Sequence, residues 1–264
     1  MNLDWLRGSL LFLPASEPRK IAKARESGAD LVVLDLEDSV KPEDKQQARE
    51  NAIEALGEDW PMPVAMRMNS RRSDWYGEDM GAVIAATPDF IVIPRAEGKD
   101  DISFVRNQTG RPVAAMIETA KGVIAVHETA REAAALIAGT NDLSADLRLP
   151  AGAGRGPLQM ALQSIVLAGR AAGIPVFDGV FNRLDDPEGF AVECGESRRL
   201  GFDGKSLIHP DQVGPCRSAF APGAEEIARA ERLVAAATGG AERFEGEMIE
   251  SMHVEAARRL LQRR

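Results

Sequence analysis

Eight short runs of apolar, often β-branched residues, each followed by a longer stretch with helical spacing, succeed one another along most of the chain. The strand runs fall at residues 9–13, 30–36, 64–68, 90–94, 113–117, 135–139, 175–180 and 204–208. The helical patterns fall at 18–27, 42–56, 78–86, 100–107, 121–132, 157–172, 187–200 and 210–220. Several of them open on proline, and glycines at 28, 57 and 173 mark helix ends. Parallel strands joined by helices build either a closed barrel or a doubly wound open sheet. Eight evenly spaced units within 264 residues favour closure, because a (β/α)8 TIM barrel takes about 250 residues. The expected domains are a barrel over residues 1–222 and a C-terminal helical extension over 223–264. In the extension, residues 225–238 read as an amphipathic helix, 238–244 as a loop and 254–262 as a last helix, the whole packing on a neighbouring subunit.

Composition removes several classes of function. A formal net charge of −9 with no long basic run disfavours nucleic acid. No run approaches about 18 consecutive apolar residues, so no membrane-spanning helix is expected. The apolar run 10–13 is too short for a signal peptide, and Asp4 and Arg7 precede it. The two cysteines, Cys194 and Cys216, are 22 residues apart, without a CxxC or a histidine pair. They read as buried thiols of a cytoplasmic protein rather than a zinc site or a disulfide framework.

Strand side chains alternate between two faces, which makes charged residues inside strands informative. In LVVLDLED (31–38), Val32, Leu34 and Leu36 share one face and Val33, Asp35 and Glu37 the other. In VAMRMN (64–69), Arg67 sits with Ala65 and Asn69, and in VAAMIE (113–118) Glu118 follows Ala114 and Met116. The purely apolar faces belong under the helices, so Asp35, Glu37, Arg67 and Glu118 belong inside the barrel. Buried charges require a partner, and an ion-pair cluster of Arg67 with Asp35 or Glu37 is one account. The other is catalysis, because these residues and Asp38, Arg95, Asn141, Asp142, Asp178, Lys205 and His209 gather at the strand C-termini, where barrel enzymes act. Glu118 and Asp142 lie 24 residues apart, one βα unit, so they end neighbouring strands. Two carboxylates without imidazole or thiolate suit Mg²⁺ or Mn²⁺, although Asp142 also heads a polar turn where it could cap a helix.

The ordered motifs carry a resemblance. RGSLLFLP (7–14), SEPRKIAKA (16–24), LDLEDSVKPEDK (34–45), VAMRMNS (64–70), IVIPRAEGKDDI (91–102), IETAKGV (117–123), GTNDLSADL (139–147) and GFDGKSLIHPDQV (201–213) together resemble the citrate lyase β-subunit-like family. That family lies within the HpcH/HpaI aldolase group, beside malyl-CoA and citramalyl-CoA lyases. The resemblance implies a trimeric or hexameric (β/α)8 barrel with a divalent metal, Mg²⁺ or Mn²⁺, held by Glu118 and Asp142. It implies that Arg67 contacts the substrate carbonyl and that the Gly139, Thr140, Asn141 and Asp142 backbone binds the substrate carboxylate. Glu37 and Asp38 would hold metal-bound waters, and Arg19 and Lys23 would hold the phosphates of coenzyme A.

Two departures stand out. FEGEMIES (244–251) places Glu250 where relatives carry an aspartate that serves a neighbouring subunit's site as acid or base, and Glu247 where they carry a basic residue. Asn141 stands where relatives often have a small or acidic residue.

The implied reaction is reversible cleavage of a 3-hydroxyacyl-CoA thioester into an acyl-CoA and a 2-oxo acid. Alternatives are a metal aldolase of free 4-hydroxy-2-oxo acids, a Schiff-base aldolase using Lys205, and a non-catalytic subunit of a larger lyase complex. The metal aldolases of this wider group rely on a histidine after strand two, and LDLEDSV has none. Gly152–Gly156 (GAGRG) reads as a mobile loop rather than a dinucleotide fingerprint, His127 as a surface residue and His209 as structural.

Overall fold

The computed structural model describes residues 8–262, so Asp4 and Arg7 of the N-terminal motif lie outside it. Contacts divide the chain into two compact units between Ala219 and Phe220.

The first unit is a closed parallel barrel with strand order β1 to β8. The strands are β1 (Gly8–Pro14), β2 (Leu31–Asp35), β3 (Val64–Arg67), β4 (Phe90–Ile93), β5 (Val113–Ile117), β6 (Ala135–Ala138), β7 (Val176–Asp178) and β8 (Gly204–Leu207). The helices around them are α1 (Pro18–Ala24), α2 (Lys45–Leu56), α3 (Tyr76–Ala86), α4 (Lys99–Thr109), α5 (Ala120–Ala130), α6 (Thr140–Asp146), α7 (Gln159–Ala172), α8 (Pro187–Leu200) and α9 (Val213–Phe220).

The alternation read from the sequence holds. Leu10, Phe12, Val33, Val92, Met116 and Phe177 form the interior cluster, while Leu11, Val32, Leu34, Met66, Ile91 and Ile117 are buried on the opposite strand face. Pro18 and Pro187 sit in the first turns of their helices. The Thr119 hydroxyl accepts from the Gly122 amide at 2.9 Å and the Asp186 carboxylate from the Gly189 amide at 2.8 Å, so each caps a helix start.

Three proline-led helices open as single 3₁₀ turns, at Pro42–Asp44, Gly156–Leu158 and Pro210–Gln212. The polar turn expected after β6 is a helix, α6. Its seven residues are too few to show a hydrophobic period.

In the second unit, α10 (Ala224–Ala236) and α11 (Ser251–Leu261) enclose a small core of Ala230, Leu233, Ile249 and Ala257. Residues 238–244, expected as a loop, lead into a hairpin of β9 (Glu242–Phe244) and β10 (Glu247–Ile249). Its two-residue turn, Glu245–Gly246, has φ of 47° and 89°, the double positive φ of a type I′ turn. Arg232 pairs with Glu245 at 2.8 Å and Arg229 with Glu247 at 2.7 Å, so α10 is tied to the turn and to β10 by exposed ion pairs.

The barrel closes where β8 meets β1. Gly204 pairs with Gly8, and a Cβ on Gly204 would lie 2.1 Å from the Gly8 carbonyl oxygen. Backbone cannot yield there as a flexible side chain can. Gly204→Ala is therefore expected to destabilise the barrel by about 1–3 kcal/mol, the usual range for overpacking, as measured by urea unfolding. A midpoint unchanged from the parent would show that the seam is slack.

Candidate active site

The upper end of the barrel holds a cavity of about 320 Å³, whose charged lining is Asp35, Asp38, Arg67, Glu118 and Asp142. Phe12, Met116 and Val180 give it an apolar part.

Arg67 and Asp35 stand side by side in register on β3 and β2. The guanidinium donates twice to the carboxylate, Nε to Oδ1 at 2.6 Å and Nη2 to Oδ2 at 2.7 Å. The same carboxylate accepts the Glu37 amide at 2.9 Å, the Ser39 amide at 3.1 Å and the Ser39 hydroxyl. Burial alone would raise the Asp35 pKa, but Arg67 and these donors outweigh it and hold the carboxyl below the ordinary value. Burial likewise opposes the charge on Arg67, and the neighbouring carboxylates reverse that and raise its pKa. Arg67 thus has the ion-pair partner that its burial requires, and it also lines the cavity.

Glu37 lies 2.9 Å from Arg67 Nη1, yet its Oε2 makes no aligned hydrogen bond. Burial is the chief reason that its pKa is pushed up to about 8; Arg67 opposes this, and Asp38, Glu118 and Asp35 add to it.

Glu118, 3% exposed, follows β5. Its Oε1 accepts the Arg95 amide at 2.7 Å, with Arg95 held at a φ of 48°. A Cβ on Gly139 would lie 2.4 Å from its Oε2, so only glycine fits beside it. Burial raises the Glu118 pKa to about 7; the Arg95 amide and Arg67 oppose the rise, while Asp142 and Asp38 add to it. Asp142, in the first turn of α6, is also raised, by burial and then by Asp38. The two carboxylates expected at neighbouring strand ends thus face one cavity and repel each other.

Thr140 is buried and Asn141 is exposed; the Asn141 and Asn182 side-chain amides pair reciprocally at 2.8 and 3.3 Å. Asn182, from the loop after β7, was not singled out in the sequence. Nor were Lys45 and Asn69, which tie the ends of β2 and β3 together. Lys45 Nζ donates to the Leu36 and Glu37 carbonyls at 2.6 and 2.7 Å and to Asn69 Oδ1 at 2.8 Å. Asp79 in turn accepts the Asn69 amide at 2.7 Å.

Other expected residues lie elsewhere. Arg19 and Lys23 are exposed on α1 and do not line the cavity. Glu250 is exposed at the start of α11 in the second unit, where its amide donates to His253 Nδ1 at 3.0 Å. Asp178 and Lys205 do not face the cavity. Phe177 takes the interior position on β7, so Asp178 points outward, in register with Lys205. There Lys205, fully buried, pairs with Asp178 at 2.9 Å and Glu193 at 2.7 Å, which argues against a Schiff-base role.

Arg155 joins this network, 2.9 Å from Asp178 and 3.3 Å from Glu193, so the Gly152–Gly156 segment is anchored at its end. His209 caps the turn at Pro210 by accepting the Asp211 amide at 3.2 Å, and His127 is exposed on α5. Cys194 and Cys216 are free and buried. Among the described residues, no helix is long and apolar enough to cross a membrane.

The barrel and this carboxylate-rich cavity are those of a defined class: the chain belongs to the HpcH/HpaI aldolase/citrate lyase family, which matches residues 8–210. It is similar to a (3S)-malyl-CoA thioesterase of Cereibacter sphaeroides, 33% identical over 96% of this chain and 93% of the relative. It is also similar to the citrate lyase subunit beta of Escherichia coli, 30% identical over 97% and 93%. Among solved structures, CitE from Mycobacterium tuberculosis in complex with magnesium, acetoacetate and coenzyme A matches with a TM-score of 0.89 and 31% identity over 99% of both chains.

Both glutamates titrate above the ordinary 4.5 in the folded chain, to about 8 for Glu37 and about 7 for Glu118. The folded state therefore binds more protons than the unfolded state across that window, and stability falls as pH rises through it. In EDTA the melting temperature is expected to drop between about pH 5 and pH 8. Added Mg²⁺ should restore more at pH 8 than at pH 6, and Glu118→Gln should remove most of that response. A Mg²⁺ effect independent of pH would count against Glu118 as a cation ligand.

Proposed function

We propose that the chain is a divalent-metal-dependent carbon–carbon lyase. It cleaves, reversibly, a short 3-hydroxyacyl-CoA thioester of the malyl, citramalyl or citryl type into an acyl-CoA and a 2-oxo acid. The observation that carries this reading is the convergence of Glu118, Asp142 and an ion-paired Arg67 on one cavity. The donor set fits Mg²⁺: two hard carboxylates raised in pKa by burial and, for Glu118, by Asp142. Among the described residues no cluster of three or more His, Cys, Asp or Glu side chains could hold a metal, so water and substrate oxygens would complete the coordination. A bound Mg²⁺ supplies Lewis acidity to the oxygens that it touches.

Arg67, kept charged by Asp35, is set to stabilise negative charge that develops on a substrate oxygen. The Gly139–Asp142 backbone is assigned to the substrate carboxylate, with Asn141 fixed by its pairing to Asn182. Glu37, which keeps its proton near neutral pH, and Asp38 are assigned to ordering water beside the cation. Arg19 and Lys23, one helical turn apart and exposed, are assigned to the coenzyme A phosphates. Glu250 of a second copy in a homotrimer or hexamer is assigned to proton exchange at the acyl carbon; this role rests on the resemblance of FEGEMIES.

A second reading is thioester hydrolysis, favoured by the name of the Cereibacter relatives. One experiment separates the two. Malyl-, citramalyl-, β-methylmalyl- and citryl-CoA are incubated beside free 4-hydroxy-2-oxo acids, with Mg²⁺, with EDTA and with Glu118→Ala. A lyase yields a 2-oxo acid and an acyl-CoA, falling at least a hundredfold in EDTA and in the variant, in line with the loss of a charge-stabilising group. Free hydroxy acid with free coenzyme A would instead show hydrolysis. Turnover of the free oxo acids alone, or none without a partner, would overturn the proposal.

A further inference from the structure

One wall of the cavity holds a polar group that the proposed reaction does not use. Ser206 on β8 is 2% exposed, lines the cavity, and its hydroxyl has no hydrogen-bond partner. Its register partner on β1 is Leu10, a member of the interior cluster, so the side chain projects into the lumen. Buried hydroxyls are ordinarily paired, and one left unpaired in a native fold calls for a partner that the chain alone does not supply.

The strand order says where such a partner would come from. In a closed ring of eight, β8 stands opposite β4 and so lies across the lumen from Arg67 on β3 and Glu118 beyond β5. A ligand anchored at Glu118, Asp142 and Arg67 therefore directs the substituent on its far side towards Ser206.

The charge on the wall narrows that substituent. Among the described residues Arg67 is the only cationic one that lines the cavity, and its guanidinium is already engaged by Asp35 and Glu37. The other charged lining residues, Asp35, Asp38, Glu118 and Asp142, are all acidic. A second carboxylate near β8 would meet no cation there and would lose its hydration. A purely apolar group would leave the hydroxyl unpaired. A neutral oxygen satisfies both conditions.

We propose that Ser206 is a specificity-determining residue of this cavity. It hydrogen-bonds a neutral oxygen on the substituent of the 2-oxo acid fragment, so the preferred acid is a monocarboxylate bearing a small hydroxylated group. This rests on the lyase reading above but replaces its three named thioesters by one whose 2-oxo acid is hydroxylated, since glyoxylate, pyruvate and oxaloacetate carry no such group. Removing a hydrogen bond of this kind changes affinity by roughly threefold to tenfold.

The test is calorimetric binding of pyruvate, hydroxypyruvate and oxaloacetate to the full chain with Mg²⁺, for the parent and for Ser206→Ala. The parent is expected to bind hydroxypyruvate about three to ten times more tightly than pyruvate, with oxaloacetate weakest. In Ser206→Ala the ratio of hydroxypyruvate to pyruvate affinity should fall to about one. The melting temperature of the ligand-free variant should rise, because an unpaired hydroxyl has been removed.

A preference retained in the variant, or oxaloacetate binding tightest to the parent, would overturn the assignment of Ser206 while leaving the lyase reading intact. Failure of the parent to bind any of the three acids would overturn both.

Discussion

The twin hydrogen bonds between Arg67 and Asp35 are the constraint around which the cavity is arranged. Each side chain alone would be an uncompensated charge inside an apolar barrel, a defect of about 3–5 kcal/mol when one partner is removed. Adjacent register on β2 and β3 lets the guanidinium fork meet the carboxylate in its own plane, at 2.6 and 2.7 Å. The pair also stiffens its surroundings. Asp35 takes the Glu37 and Ser39 amides as well, so the chain beyond β2 is bent over the barrel mouth, and Lys45 pins the same turn through the Leu36 and Glu37 carbonyls. The result is a cationic group whose position is set before any ligand arrives, which is the condition for electrostatic stabilisation to be effective.

How much of this was legible depends on whether a residue breaks the pattern of its own element. Asp35, Arg67 and Glu118 stood out because a charge at an interior strand position violates the apolar alternation. Lys45, Asn69 and Asp79 did not, since polar residues in helices and loops are unremarkable; their burial arises only when α2, α3 and the β3 loop meet. Ser206 was invisible for a related reason: a small hydroxyl in a strand offends no rule until the fold leaves it without a partner. Asp178 and Lys205 were grouped with the rim by position alone. The face counting used for β2 and β3 fails on β7: it would put Asp178 inside with Val176, and Phe177 under the helices, whereas Phe177 is interior and Asp178 points outward, where Lys205 and Arg155 supply its counter-charges. The hairpin at Glu242–Ile249 escaped because Glu-Gly is a weaker turn signal than Asn-Gly and its two strands are only three residues each.

The outward network shows the barrel using the same device on its other face. Arg155 and Lys205 meet Asp178, Glu193 and Glu196 between β7, β8 and α8. Attraction to both cations overcomes the burial that would otherwise raise the Asp178 pKa and holds it below the ordinary value. Arg155 reaches this network from the segment between α6 and α7, so Gly152 and Gly154, both at positive φ, give the chain its bends while the arginine fixes its end. Since α6 begins with the Asp142 turn, the loop leaving the candidate metal site is fastened to the scaffold rather than left free.

The cavity itself is arranged against its own electrostatics. Glu118 is placed by two features that neutral packing would not require: Arg95 in a left-handed conformation to deliver an amide to Oε1, and a glycine at 139 because any Cβ would strike Oε2. Both features fix the Glu118 carboxylate in the cavity that Asp142 also lines, although burial and the charge of Asp142 raise its pKa to about 7. Local strain of this sort persists only where the surrounding structure enforces it, and it gathers at functional sites. A proton can relieve the repulsion, at the expense of the charge. A divalent cation held by both would relieve it while keeping both carboxylates ionised. The left-handed Arg95 and the bare Gly139 thus fix Glu118 in the cavity that Asp142 also lines, which is the arrangement that the proposed cation site requires.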